Sequence, residues 1–146
     1  MRPKEPTGTA MQKKLNTILL IDDNECNIFL HKHLINKCKL CDKVLGFTDA
    51  QSALNYLVTP YDGQYINPEL ILLDINMPKI DGWDFTRQFL KLPEAMRSRT
   101  VIAIASSSQL KRDEEKARQL GIQEFLTKPI EKHHLMGIMD KYFGIR

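Results

Sequence analysis

Apolar and polar positions in this chain come in blocks. The first block, Leu15-Asn16-Thr17-Ile18-Leu19-Leu20-Ile21, is rich in β-formers and stops abruptly at Asp22-Asp23. The most apolar block, Leu70-Ile71-Leu72-Leu73, runs straight into Asp74 and then reaches Ile75-Asn76-Met77-Pro78. Continuous apolar runs of this length, bounded by breakers, predict strands buried on both faces, as in a parallel sheet. Three more complete the set: 43–47, 100–105 and 123–127, the last cut off by Lys128-Pro129.

Between these blocks the period becomes helical. Asn24-Glu25 opens a segment with Ile28, Leu34, Ile35 and, more loosely, Leu30 at helical spacing, reaching about Lys37. Thr48-Asp49 caps a helix carrying Ala50, Ala53, Leu54 and Leu57 on one face. Asp81-Gly82 leads into a helix with Trp83, Phe85 and Phe89 as core contacts, ending near Leu92-Pro93. A polar helix spans about Leu110 to Leu120 and is closed by Gly121. The last spans about Glu131 to Tyr142, with Leu135, Ile138, Met139 and Tyr142 in register. Five βα units with short connections predict one α/β domain, a parallel sheet with helices on both faces, because right-handed crossovers place them there.

Length and charge narrow the class. A chain of 146 residues suffices for a single domain with a full core, and 42% apolar with 27% charged residues is ordinary for a globular protein. No apolar run approaches the roughly 20 residues that span a bilayer. The N-terminus lacks the apolar segment of a signal peptide, so a cytoplasmic protein with no membrane association is expected. The net charge of +3 hints at nucleic acid, but its location argues otherwise. Four of the 21 basic side chains and one of the 18 acidic ones fall in residues 1–15, leaving 17 of each in residues 16–146. The folded part thus has no bulk positive footprint for a phosphate backbone. Residues 1–15, with Pro3, Pro6 and Gly8, read as a disordered leader to a domain at 16–146, and only four residues follow the last helix.

Three cysteines are too few for a disulfide framework. Cys38-Lys39-Leu40-Cys41 spells C-x-x-C with His31 and His33 upstream, but there is no second pair and the spacing to the histidines is irregular. Small reduced thiols packed around a helix–strand turn are the plainer reading.

The chemistry gathers at the carboxyl ends of the strands. Asp22 and Asp23 follow the first strand, Asp74 the third, Ser106 the fourth and Lys128 the fifth. In a parallel sheet these ends share one edge, the edge where open α/β sheets bind ligands. Three adjacent carboxylates repel unless a cation neutralises them, and hard oxygen ligands suit Mg²⁺. A carboxylate nucleophile with a lysine and a hydroxyl beside it suits phosphoryl transfer onto aspartate. Each member alone has a plainer explanation as a helix cap or a solvated charge; the argument rests on the set.

The motifs Ile21-Asp22-Asp23-Asn24, Leu73-Asp74-Ile75-Asn76-Met77-Pro78 with Asp81-Gly82, Ala105-Ser106-Ser107 and Phe125-Leu126-Thr127-Lys128-Pro129 resemble, in combination and across residues 16–144, the receiver domains of two-component response regulators. The resemblance implies a flavodoxin-like fold with strand order 2-1-3-4-5. It implies that Asp74 is phosphorylated by a sensor histidine kinase or histidine phosphotransfer protein. Asp22, Asp23, Asp74 and the backbone carbonyl of Asn76 would hold Mg²⁺, and Lys128 would contact the phosphoryl group. Ser106 would move to hydrogen-bond that group, with the Phe125 rotamer following. Met77, Pro78 and Gly82 would shape the loop after Asp74. Signalling to a downstream protein would leave through helix 4, strand 5 and helix 5. Ser106 stands where threonine is commoner and Phe125 where tyrosine is commoner, which bears on the switch more than on the chemistry. The loop at 58–69 is longer than usual for the family, and a solvated insertion is its plainer reading.

Two other functions compete. An aspartyl-phosphate phosphohydrolase also places a nucleophilic aspartate after a strand, but haloacid-dehalogenase-type enzymes want a second aspartate where this chain has Asn76. A phosphorylation-independent scaffold would have no use for the complete acid set and Lys128. The expected protein is a stand-alone phosphoacceptor that catalyses only its own phosphorylation and dephosphorylation.

Overall fold

A computed structural model describes residues 14–107, 110–122 and 124–145. The elements alternate: β1 (Leu15–Ile21), α1 (Glu25–Lys37), β2 (Cys41–Phe47), α2 (Ala50–Leu57), β3 (Leu70–Asp74), α3 (Gly82–Leu90), β4 (Val101–Ser106), α4 (Lys111–Gln119), β5 (Glu124–Thr127) and α5 (Lys132–Phe143). All five strands are parallel, in the order β2-β1-β3-β4-β5. The expected flavodoxin-like architecture is what the chain forms.

The sheet divides two apolar cores, and side-chain alternation along each strand decides which residue serves which core. Ile18, Leu20, Leu70, Leu72, Ala103 and Ala105 pack with Ile35 of α1 and Leu135, Ile138 and Met139 of α5. Their neighbours Leu19, Ile21, Ile71, Leu73, Ile102 and Ile104 pack with α2, α3 and Ala117 of α4. Every residue of β3 is buried, as its unbroken apolar run requires.

Polar caps set the helix starts that face the carboxyl edge. Asn24 accepts from the amides of Cys26 and Asn27, and Asp49 from that of Ser52. Asp81 forms a capping box with Asp84 at the start of α3. Gly121 follows the C-cap of α4 with φ +84°, the left-handed conformation that glycine adopts most easily.

Some expectations shift. Leu15 opens β1, pairs with Cys41 and is buried, and Lys14 bridges Asp42 at 2.8 Å, so the fold takes in the last residue assigned to the leader; residues 1–13 of that leader lie outside the described residues. Leu30 is 60% exposed and its neighbour Phe29 69%, because only one narrow stripe of α1 meets the sheet. β2 starts at Cys41 rather than Lys43, drawing the buried Cys41 into the sheet, while the half-buried Cys38 caps α1; both are free thiols. A 3-10 turn at Glu94–Met96 separates α3 from β4. The 58–69 loop folds on itself: Tyr61 and Gln64 exchange two backbone hydrogen bonds across Asp62 and Gly63, and the Tyr61 ring packs on Tyr56 at 5.3 Å.

At the open edge of β5, Glu124 accepts from Lys141 Nζ at 2.8 Å and from the Tyr142 hydroxyl at 2.6 Å, which fastens the end of α5. Burial pushes the Glu124 carboxyl up, but these two donors outweigh it and hold the group below the usual glutamate range. A carboxyl whose pKa is depressed by folding adds stability above its unfolded pKa, and that contribution is lost as pH falls through the depressed value. Glu124→Gln is therefore expected to destabilise the protein by about 1 kcal/mol at neutral pH, with the gap to wild type closing in acid. Paired denaturant titrations at the two pH values check this.

Candidate functional site

Four strand ends deliver the site. Asp22 follows β1 directly, and its carboxylate is held by the Asn24 amide on Oδ1 at 2.9 Å and by Asn27 Nδ2 on Oδ2 at 3.3 Å. Asp74 is the last residue of β3 and takes the Asn76 amide on Oδ1 at 3.2 Å. Ser106 is the last residue of β4, fully buried, one position beyond the residue paired with Asp74. Lys128 follows β5, and its amide donates to the Ser106 carbonyl at 2.8 Å.

The lysine crosses to the acids. Its Nζ lies 2.8 Å from Asp22 Oδ2 and 3.7 Å from Asp74 Oδ1. Asp22 and Asp74 are only 4% and 6% exposed, whereas Asp23 is open to solvent. Carboxylate oxygens of all three aspartates lie within 4.8 Å of one another. Burial pushes the Asp74 carboxyl above its usual range; Lys128 and the Asn76 amide oppose this, while Asp22 and Asp23 add to it. One ammonium facing three carboxylates leaves the cluster net negative. Hard oxygen donors at this spacing, two of them sunk into the fold, fit a small divalent cation.

The predicted residues Asp22, Asp23, Asp74 and Lys128 are brought together, with Ser106 joined to them through the strand ends. Asn76 is exposed, and its amide faces Asp74. Met77 is buried in the core shared with α3, while Pro78 points to solvent. Gly82 is more constrained than turn-making requires. A Cβ there would lie 2.7 Å from both the Asp74 carbonyl oxygen and the Ile75 Cα. Phe125 is half-buried on β5, paired with Ile104 and packed against the α2/α3 core.

Two residues near the site had no role there in the sequence reading, where His31 figured only beside the cysteines. Asn27 was available from spacing, since it lies three positions after the cap Asn24 and so on the same side of α1. His31 was not, because a histidine gains meaning here only from its neighbours. Burial holds its imidazole below the usual range, the nearby Lys128 adds to that and Asp22 opposes it. The cysteine–histidine metal site that the sequence reading judged less plain than packed thiols does not assemble among the described residues. Among the described residues the metal-capable clusters are the aspartate triad and Glu131/His133/His134, neither with a cysteine. In the latter, His134 Nδ1 already accepts the Glu131 amide at 2.9 Å as part of the α5 cap.

No helix among the described residues is long and apolar enough to cross a membrane. The family model for the response regulator receiver domain matches residues 18–140. The polar-differentiation response regulator DivK of Brucella ovis is 28% identical over 128 residues, covering 88% of this chain and 96% of its own length. Among solved structures, a two-component response regulator from Cytophaga hutchinsonii superposes with a TM-score of 0.80 at 28% identity, covering 90% of this chain and 99% of its own. A response regulator receiver protein from Dyadobacter fermentans gives 0.76 at 31% identity, covering 87% and 97%. Phosphorylation on aspartate is typical of such domains, and this chain belongs to the response regulator receiver family of two-component systems.

Proposed function

We propose that the chain is a phosphoacceptor switch in which Asp74 takes a phosphoryl group from a phosphohistidine donor, a sensor histidine kinase or a histidine phosphotransfer protein. The observation that carries this reading is the convergence of three carboxylates on one lysine at the carboxyl edge of a parallel sheet. In the transfer, the donor's N–P bond breaks as an O–P bond forms to an Asp74 carboxylate oxygen, and the released histidine nitrogen recovers a lone pair. Asp22, Asp23 and Asp74, with the Asn76 carbonyl, would hold Mg²⁺, which would supply positive charge for the phosphoryl group. Lys128 sits between Asp22 and Asp74 and supplies a further positive charge on the same side. The Asn76 amide orients the acceptor. Burial of Asp74 keeps its ring of charges in a poorly screened setting, where each counts for more. The Ser106 hydroxyl, at the next strand end, would answer the new dianion, with Phe125 following it. Receiver domains in general are switches rather than classical enzymes, and the downstream target would read the α4, β5 and α5 face.

The test uses the full chain with acetyl phosphate and MgCl₂. A single phosphoryl adduct by intact mass, removed by hydroxylamine as an acyl phosphate must be, is the expected result. An absent adduct, or one that resists hydroxylamine, overturns the reading. Rapid multiple-turnover hydrolysis of small phosphomonoesters would instead favour a phosphohydrolase. Lys128→Met is expected to slow adduct formation by roughly 100-fold, the order seen when one preorganised charge or donor is removed from a transition state. A time course of the same mass measurement checks it.

A further inference from the structure

α4 is held to the rest of the molecule by very little. Its sequence, Lys111 to Gln119, is KRDEEKARQ, and Ala117 is its one buried residue. α3, of equal length, buries Gly82, Trp83, Phe85, Thr86 and Phe89. A helix with so small an apolar face depends on whatever polar contacts it can find. One of these reaches across to α3: Lys116 Nζ lies 5.1 Å from the centroid of the Trp83 ring, within the range of a cation–π contact.

Both ends of this arrangement lead to Asp74. Trp83 follows Gly82, whose backbone sits against the Asp74 carbonyl too closely to admit a Cβ. The buried indole is therefore fixed relative to the acceptor's own loop. At the other end, α4 follows β4, whose last residue is the buried Ser106 beside the acceptor. Any motion at that strand end has α4 as the next element along the chain. The Lys116 ammonium is the group that must leave the indole if α4 moves.

We propose that Lys116 on Trp83 is a releasable clasp that holds α4 against α3, and that phosphorylation of Asp74 opens it. The proposal rests on Asp74 being the phosphoacceptor and adds the contact that gives way. A cation–π contact at a partly exposed site changes the ratio of docked to released helix by roughly 2- to 30-fold. That is enough to matter without locking the helix.

The sequence contains a single tryptophan, so indole emission reports on Trp83 alone. Acrylamide, a neutral quencher unaffected by the lysine's charge, would be titrated against the full chain before and after acetyl phosphate with MgCl₂. Intact mass would be measured in parallel. In wild type the quenching constant is expected to rise at least about twofold on phosphorylation. Lys116→Gln, which keeps the length but not the charge, should show the raised constant before any phosphorylation and little further rise, although its adduct forms. Lys116→Arg keeps the cation and should behave as wild type. Two results would overturn the clasp: equal quenching of unphosphorylated wild type and Lys116→Gln, or a full phosphorylation response in Lys116→Gln. Mass alone reports failure of Asp74 as acceptor, whereas the unphosphorylated comparison reports failure of the clasp.

Discussion

Asp74→Asn is expected to leave the intact mass unchanged after acetyl phosphate and MgCl₂, while raising the melting temperature at neutral pH by a few degrees. The first half follows from chemistry, since an amide cannot act as the phosphoryl-accepting carboxylate. The second follows from the site's electrostatics. Asp74 is buried beside Asp22 and Asp23, and folding raises its pKa despite Lys128. Above that raised value the ionised carboxylate costs the folded state stability; as pH falls through it, the group protonates and the cost disappears. The asparagine variant should therefore be the more stable protein at neutral pH, and its advantage should shrink in acid. Differential scanning calorimetry across pH measures this. A variant that loses both the adduct and its thermal stability would mean that the carboxylate is needed to build the site as well as to react.

Gly82→Ala should be strongly destabilising. The added Cβ would meet the Asp74 carbonyl oxygen and the Ile75 Cα, both at 2.7 Å, with the Ile75 Cγ2 at 3.0 Å. The two nearest are backbone atoms of a fully buried strand and its exit, so no rotamer change relieves the clash. The Gly82 amide also donates to the Ile75 carbonyl at 3.2 Å, and moving α3 outward would stretch this bond. Overpacking of this kind costs about 2–3 kcal/mol, visible as an earlier urea midpoint. Because the displaced atoms carry Asp74, adduct formation should slow as well. Unchanged stability would show that the loop has more freedom than its packing suggests.

The residues of the candidate site were legible in the sequence for a simple reason. A parallel sheet converts an order along the chain into a shared edge, so Asp22, Asp74, Ser106 and Lys128 had only to end their strands to meet. The strand cores and the caps Asn24, Asp49 and Asp81 were equally plain, because burial and unpaired helix amides act over a few residues. What could not be read was set by distant neighbours. Leu30 fits the helical period of α1 only loosely, and its 60% exposure shows that the sheet does not cover it. The approach of Gly82 to the Asp74 backbone, the side-chain tie from Asn27 to Asp22 and the reach of Lys116 to Trp83 are all contacts between elements. The glycine was noticed as a turn former; its tighter duty as a spacer needed the partner strand in place. The 58–69 loop looked like a solvated insertion, yet its turn closes on Tyr56 through ring contact that no local pattern announces.

The central strand has a mechanical consequence. β3 lies between β1 and β4, shares its side chains with both apolar cores and has no exposed residue. It is the keel of the molecule. Charge placed at its tip cannot be relieved by moving the tip, since any displacement would tear two cores at once. Relief would come from the periphery, where α4 buries Ala117 and reaches Trp83 through the Lys116 ammonium. On the clasp proposal, a stiff keel and a loosely lashed outrigger would turn a small electrostatic change at a fixed point into motion elsewhere.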